Sequence, residues 1–133
     1  MIRKTLSVQQ PWSYAIIHLG KDVENREWWT KLRGEILIHA GKKIDRDGYD
    51  WMIKKGYNLP PIKELKTGGI VGITTLYNCV TKCNSAWFFG RYGFMLKNSK
   101  ELKFVPCIGR LGFFEFDYEK ALAEEDEIGG ICE

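Results

Sequence analysis

Thr5-Leu6-Ser7-Val8-Gln9-Gln10-Pro11-Trp12-Ser13-Tyr14-Ala15-Ile16-Ile17-His18-Leu19-Gly20 holds both of the periodicities from which this chain builds its fold. Residues 5–9 alternate apolar and polar side chains, the period of a strand. Pro11 then opens a helix at its first position, where a missing N–H costs little. Trp12, Ala15, Ile16 and Leu19 recur at i, i+3, i+4 and i+7 as one buried stripe, and Gly20 supplies the stop.

Outward from this unit the pattern repeats with variations. Residues 21–34 read as a polar, charged loop carrying Trp28 and Trp29. Glu35-Ile36-Leu37-Ile38-His39-Ala40 reads as a buried strand. Asp45 caps a second helix with Tyr49, Met52 and Ile53 on one face, which ends at Gly56. Pro60-Pro61 marks a loop, and Gly69 to Tyr77 is a long strand loosened by glycine. Trp87-Phe88-Phe89-Gly90 is an aromatic turn. Tyr92 to Leu96, Leu102 to Val105 and Arg110 to Phe116 read as three more strands, with Gly68-Gly69 and Gly109 to Gly112 as strand bends. Tyr118 to Asp126 is a short helix or a disordered stretch. About six short strands with two or three helices predict an α+β domain, a small β-barrel with helices packed on it.

The chain has 133 residues, enough for one domain with one core. Residues 1–117 are expected to form the domain and 118–133 an acidic tail. Residues 1–116 carry 19 Lys and Arg against 10 Asp and Glu, a net of +9, whereas residues 117–133 carry one Lys against seven acids, a net of −6. A basic body favours polyanions. The tail reads as a solvated C-terminus, with an autoinhibitory cover for the basic face as the alternative. No run approaches the ~20 apolar residues of a membrane span. Met1-Ile2-Arg3-Lys4 leads into a strand pattern, so a cytoplasmic location without membrane partners is expected. Cys79, Cys83, Cys107 and Cys132 are expected to be free, mostly buried thiols. Their spacing, with His18 and His39 far apart, does not make a zinc site, and neither metal nor cofactor is expected.

The chemistry concentrates in Gly20-Lys21-Asp22-Val23-Glu24-Asn25-Arg26. Lys21 offers a point charge to phosphate and Arg26 a planar fork, while Glu24 can accept from a nucleobase amino group or position Lys21. The competing reading is a surface ion pair worth little. Arg33 adds a charge near the same place. Trp12, Trp28, Trp29, Trp87 and Tyr92 stand as stacking platforms for splayed bases or as core packing. His39, at a strand end, reads as an acid or base, or as a satisfied core residue. Nucleophile elbow, Walker loop, metalloprotease helix and Rossmann fingerprint are all missing from the sequence.

An ordered set of motifs carries a resemblance. Leu6-Ser7-Val8-Gln9-Gln10-Pro11-Trp12, Lys21-x-x-Glu24-x-Arg26, Lys31-Leu32-Arg33-Gly34 and Ile36-Leu37-Ile38-His39-Ala40 resemble the ASCH domain family. So do Gly69-Ile70-Val71-Gly72, Trp87 to Phe94 and Gly109 to Phe114. The likeness runs from about Leu6 to Phe116. It implies a PUA-like β-barrel with the K-x-x-E-x-R motif in a cleft between barrel and helix. Gly20 directly precedes Lys21, where the family pattern has one residue between them. The family is proposed to bind RNA or nucleic acid more broadly, and some members are reported to cleave RNA. A small bacterial branch hydrolyses the amide of acetylcytidine with a Lys base and a Thr nucleophile three residues on. That position is Glu24 here, and Thr30 falls outside the pattern, which argues against that covalent route.

The resemblance thus implies a module that binds RNA or single nucleotides, with DNA as the alternative. Lys21, Glu24, Arg26 and Arg33 would be its polar contacts, and Trp12, Trp28 or Trp87 its wall. A second reading is a hydrolase of a nucleoside amide or an RNA phosphodiester, with Lys21 as base and Glu24 activating water. A third is an interaction module for acidic peptides. Oligomeric state is left open.

Overall fold

Ile36 and Ile38 face one side of their strand and Leu37 the other, and all three are buried, so the strand is covered on both faces. That arrangement organises the computed structural model, which describes the backbone of residues 1–132 and the side chains of residues 1–126. Its elements are β1 (Arg3–Gln10), α1 (Trp12–His18), β2 (Val23–Arg26), β3 (Gly34–Ile44), α2 (Arg46–Lys54), a 3-10 turn (Ile62–Glu64), β4 (Gly69–Val80), β5 (Tyr92–Pro106), β6 (Phe113–Phe116) and α3 (Tyr118–Cys132).

The strands form one mixed sheet in the order β2-β5-β4-β3-β1-β6. β1 and β3 run parallel, and every other neighbouring pair is antiparallel. On one face, Leu6, Val8, Ile36, Ile38, Leu76, Phe94 and Leu96 pack against Ile16 of α1. Each such side chain taken fully out of water contributes roughly 1.5–3 kcal/mol. On the opposite face, Leu37, Ile70, Ile73 and Val105 pack with Tyr118, and Ala121 and Leu122 of α3 extend the cluster. Arg3–Glu119 and Lys103–Asp126 ion pairs, at 2.8 and 2.9 Å, rim that contact.

The expected closed barrel does not form. β2 and β6, four residues each, are the two edges of the sheet and do not pair with one another. Side chains occupy the seam instead. Trp28, just past β2, stands edge-on against Phe94 and Phe113 with ring centroids 5.1 and 5.5 Å away. Phe94 and Phe113 themselves stack with centroids 5.9 Å apart, so a cluster of three rings stands where hydrogen-bonded strands ~5 Å apart would close a barrel. Pairing of β1 with β6 stops at Leu6–Phe113, and the next carbonyl on β1, that of Ser7, accepts from Arg26 Nη2 at 2.8 Å. An arginine therefore bridges the seam where a barrel would have a strand pair.

Four further expectations change. Residues 21–34 are not all loop, because β2 pairs with β5 from Val23–Met95 to Arg26–Tyr92, and Val23 is fully buried. The expected strands over 92–96 and 102–105 are one 15-residue strand, β5, with a positive φ of 55° at Asn98 and several register irregularities against β4. β6 starts only at Phe113, which leaves residues 107–112 as a loop. Pro11 sits one position before α1 as its cap residue. The Gln10 side chain supports that end, its Oε1 accepting from the Tyr14 N–H at 2.9 Å. Asp45 does cap α2, accepting from the Gly48 N–H at 2.9 Å.

No helix among the described residues is long and apolar enough to cross a membrane. Cys79, Cys83 and Cys107 are free thiols, each half-buried, while the side chain of Cys132 lies outside the described residues.

Candidate functional site

The end of α1 aims the first residue of the motif. Gly20, with a φ of 72°, turns the chain back on itself so that the Lys21 N–H reaches the Ala15 carbonyl at 3.1 Å. An L-residue with a side chain strains in that conformation. The Lys21 side chain, 2% exposed, then runs inward. Its ammonium donates to the Val23 carbonyl and to Glu24 Oε1, the latter at 3.0 Å.

β2 aims the rest. Side chains at i and i+2 of a strand share a face. Glu24 and Arg26 are therefore neighbours, and Arg26 Nε donates to Glu24 Oε2 at 3.1 Å. Lys21, Glu24 and Arg26 form a continuous cation–carboxylate–cation chain, with Glu24 used on both oxygens. The Glu24 side chain is 11% exposed and that of Arg26 22%.

Lys21 and Glu24 form the polar floor of a recess of about 340 Å³, lined also by Trp12, Asn25 and Phe89. Trp12 is held rigidly as a wall. Its Nε1 donates to Asp45 Oδ2 at 2.9 Å, and its ring lies 5.8 Å from the Lys21 ammonium. A Cβ at Gly48 would come within 2.5 Å of Trp12 Cζ2, so α2 meets the indole through a bare glycine. Phe89, 55% exposed, is the second aromatic wall, and Trp51 packs against both rings, 6.0 Å from Trp12 and 5.8 Å from Phe89. Asn25 fixes the turn that carries it, donating to the Trp87 carbonyl and accepting from the Phe89 N–H at 2.9 and 2.8 Å.

Among the residues singled out from sequence, the structure brings together Lys21, Glu24, Arg26 and Trp12. Trp87 is buried, packed with Tyr57 and Trp51 at 4.6 and 6.3 Å, and meets the site through its carbonyl. Trp28 lies at the sheet seam. Arg33 donates to the carbonyls of Thr30 and Leu32, folded onto its own loop. The Thr30 hydroxyl, in a buried residue, accepts from the Leu32 N–H and does not line the recess. His39 is buried, and both of its ring nitrogens have partners. Asn25, Phe89 and Gly48 were not singled out from sequence as site residues. Asn25 sat at an unassigned position inside the motif, Phe89 lay within the aromatic turn, and only folding brings Gly48 against Trp12.

The arrangement offers defined hydrogen-bonding capacity. An ammonium has three donors, two of which are used here, and each carboxylate oxygen keeps a lone pair beyond its cation. The floor therefore presents one donor beside an acceptor, between an indole and a phenyl ring. Among the described residues, no three of His, Cys, Asp and Glu group as a metal site.

No curated protein matches this sequence. Residues 6–108, a span that includes the motif, both walls of the recess and five of the six strands, match the family model described as the ASCH domain, and the chain belongs to that family, consistent with RNA binding in general.

Proposed function

We propose that this chain binds one unpaired nucleotide of an RNA strand in the recess between Trp12 and Phe89. The observation that carries the reading is the pairing of two aromatic walls with a donor–acceptor floor. Stacked bases need π-faces, and a base edge needs a donor beside an acceptor. Glu24 accepts from an exocyclic amino group, as carboxylates do from cytosine N4, while the third N–H of Lys21 reaches an adjacent ring acceptor. Arg26 holds Glu24 in place and is a positioning residue. The floor is largely neutralised internally, so its contribution is selectivity more than charge attraction.

Concave stacking of this kind suits a splayed base and excludes a paired one. Single-stranded RNA is expected to bind more tightly than duplex RNA of the same length, and single-stranded DNA measures the contribution of the 2′-hydroxyl. Loss of one stacking partner costs about 1–3 kcal/mol. Phe89→Ala, at an exposed position, is therefore expected to weaken single-strand binding by about tenfold without changing the melting temperature. Equal affinity for duplex and single strand, together with wild-type binding by Phe89→Ala, would refute the reading. Chromatography of the bound RNA tests for turnover in the same samples, and intact RNA is expected.

A further inference from the structure

Arg26 lines a different recess, of about 540 Å³, together with Ser7, His39, Lys42, Cys107 and Arg110. Its lining includes three cations and no carboxylate. Arg26 is paired with Glu24, but neither Lys42 nor Arg110 forms an ion pair within the described residues. Two uncompensated cations in one concavity raise the local potential for an anion.

The loop over residues 107–112 is pinned in place. His39 Nε2 lies 2.7 Å from the Cys107 carbonyl. A carbonyl only accepts, so Nε2 carries the proton, and Nδ1 accepts from the Ser7 hydroxyl at 2.9 Å. The Cys107 N–H is also tied, to the Gly68 carbonyl at 3.1 Å. Gly109 presses its backbone on the Ser7–His39 pair, where a Cβ would meet His39 Cε1 at 2.7 Å. Burial raises the Cys107 thiol pKa above its ordinary value, and the charge of Arg110, which lines the same recess, opposes that rise. On either side of Arg110, Ile108 and Leu111 project into solvent, 80% and 99% exposed.

We infer that this recess holds a phosphate of the strand whose nucleotide occupies the Trp12–Phe89 recess, with Arg110 and Lys42 as its direct contacts. The inference rests on the proposed nucleotide reading, since Arg26, which lines this recess, is hydrogen-bonded to Glu24, which lines the other. Leu111 then rests on the sugar or base that follows. Apolar side chains beside basic ones are a recurrent way of engaging nucleic acid. The role of His39 is positional, because it fixes the loop that presents Arg110.

The test is a salt titration of a labelled single-stranded oligocytidylate against the full chain. Each phosphate contact on a single strand contributes about 0.7 to the slope of log K against log salt. Because Lys42 and Arg110 share one phosphate, the double variant Lys42→Ala/Arg110→Ala is expected to lower the slope by about 0.7 and the affinity by about fivefold at 0.1 M salt. Leu111→Ala is expected to lower affinity about threefold and leave the slope unchanged. Thermal melts check that each variant folds. A wild-type slope in the double variant, with Phe89→Ala still weakening binding, overturns the phosphate recess and leaves the nucleotide reading standing. If the oligocytidylate does not bind at all, pyrophosphate protection of Cys107 from alkylation, followed by peptide-resolved mass spectrometry, decides the recess separately. Protection that Arg110→Ala abolishes keeps the anion site and sinks the nucleotide reading, and no protection sinks both.

Discussion

Replacing Glu24 by Gln probes the buried charge chain most directly. The carboxylate is 11% exposed, meets Lys21 at 3.0 Å on one oxygen and meets Arg26 at 3.0 Å on the other. Glutamine keeps the shape but loses the charge, and its amide nitrogen turns a donor toward one of the two cations. The Lys21 ammonium is then left with the Val23 carbonyl inside the protein. Removing one partner of a buried pair costs about 3–5 kcal/mol, because the remaining charge is uncompensated. Arg26, at 22% exposure, recovers water when Glu24 is lost, which places the expected cost near the lower end, about 3 kcal/mol. Lys21→Met removes the buried cation and leaves Glu24 held by Arg26, so its cost is smaller, about 1–2 kcal/mol. In the double variant the uncompensated ammonium is absent, and Gln at position 24 then adds only about 1 kcal/mol. The cycle therefore gives a coupling of about 2 kcal/mol. Urea unfolding with an unchanged m-value measures all four proteins, and the Glu24→Gln melting temperature falls by roughly 10 °C. A Glu24→Gln cost below about 1 kcal/mol, with the two substitutions additive within ~0.5 kcal/mol, would show that the chain is solvated and would refute the argument.

Gly48→Ala forces a methyl to within 2.5 Å of Trp12 Cζ2, and is expected to cost about 1–3 kcal/mol in unfolding experiments and to weaken single-strand binding by displacing the indole. Ser13→Ala is expected to stabilise by about 1 kcal/mol, because the Ser13 hydroxyl is buried in α1 with no partner among the described residues; a lower urea midpoint would contradict this. The start of α3 should respond to acid. The Lys120 N–H and the N-terminus hold the Asp117 pKa below its usual value, and a hydrogen bond from Arg3 does the same for Glu119. Carboxylates with depressed folded-state pKa values contribute stability above their unfolded pKa, roughly 4, and lose it as pH falls through the folded value. Melting temperature should therefore drop on acidification below about pH 4, less steeply in Asp117→Asn; an identical acid limb in that variant would remove Asp117 from the account.

Much of the secondary structure was readable because its causes are short-range. Alternation marked β1 and β3, the apolar stripe and Gly20 bounded α1, and Asp45 announced α2 through a hydrogen bond only three residues long. β2 escaped because a four-residue stretch containing Glu24, Asn25 and Arg26 has no strand pattern of its own. It is extended because residues 92–95 of β5 pair with it. β5 looked like two strands because the polar run around Asn98 breaks the apolar pattern, although the backbone passes through it paired to β4. For the candidate site, Lys21, Glu24 and Arg26 stood out by residue type and spacing. Their mutual contacts did not, since a loop gives no rule for which side chains share a face. Phe89 and Asn25 were hidden because the turn they belong to lies more than 60 residues from the motif.

What the amino-acid order determined alone is therefore local: the places of β1, β3, α1 and α2, the cap of α2, the excess of basic charge in the body, and the residues that belong to the ASCH motif. Capping, periodicity and charge act over a few residues and leave their mark in the chain itself. The tertiary structure decided whether the sheet closes, which face the motif occupies, and which aromatics wall the recess. Those outcomes depend on how bulky side chains from distant strands fit together. Trp28, Phe94 and Phe113 fill the seam, so the sheet stays open and Arg26 bridges to Ser7 where β2 and β6 do not pair.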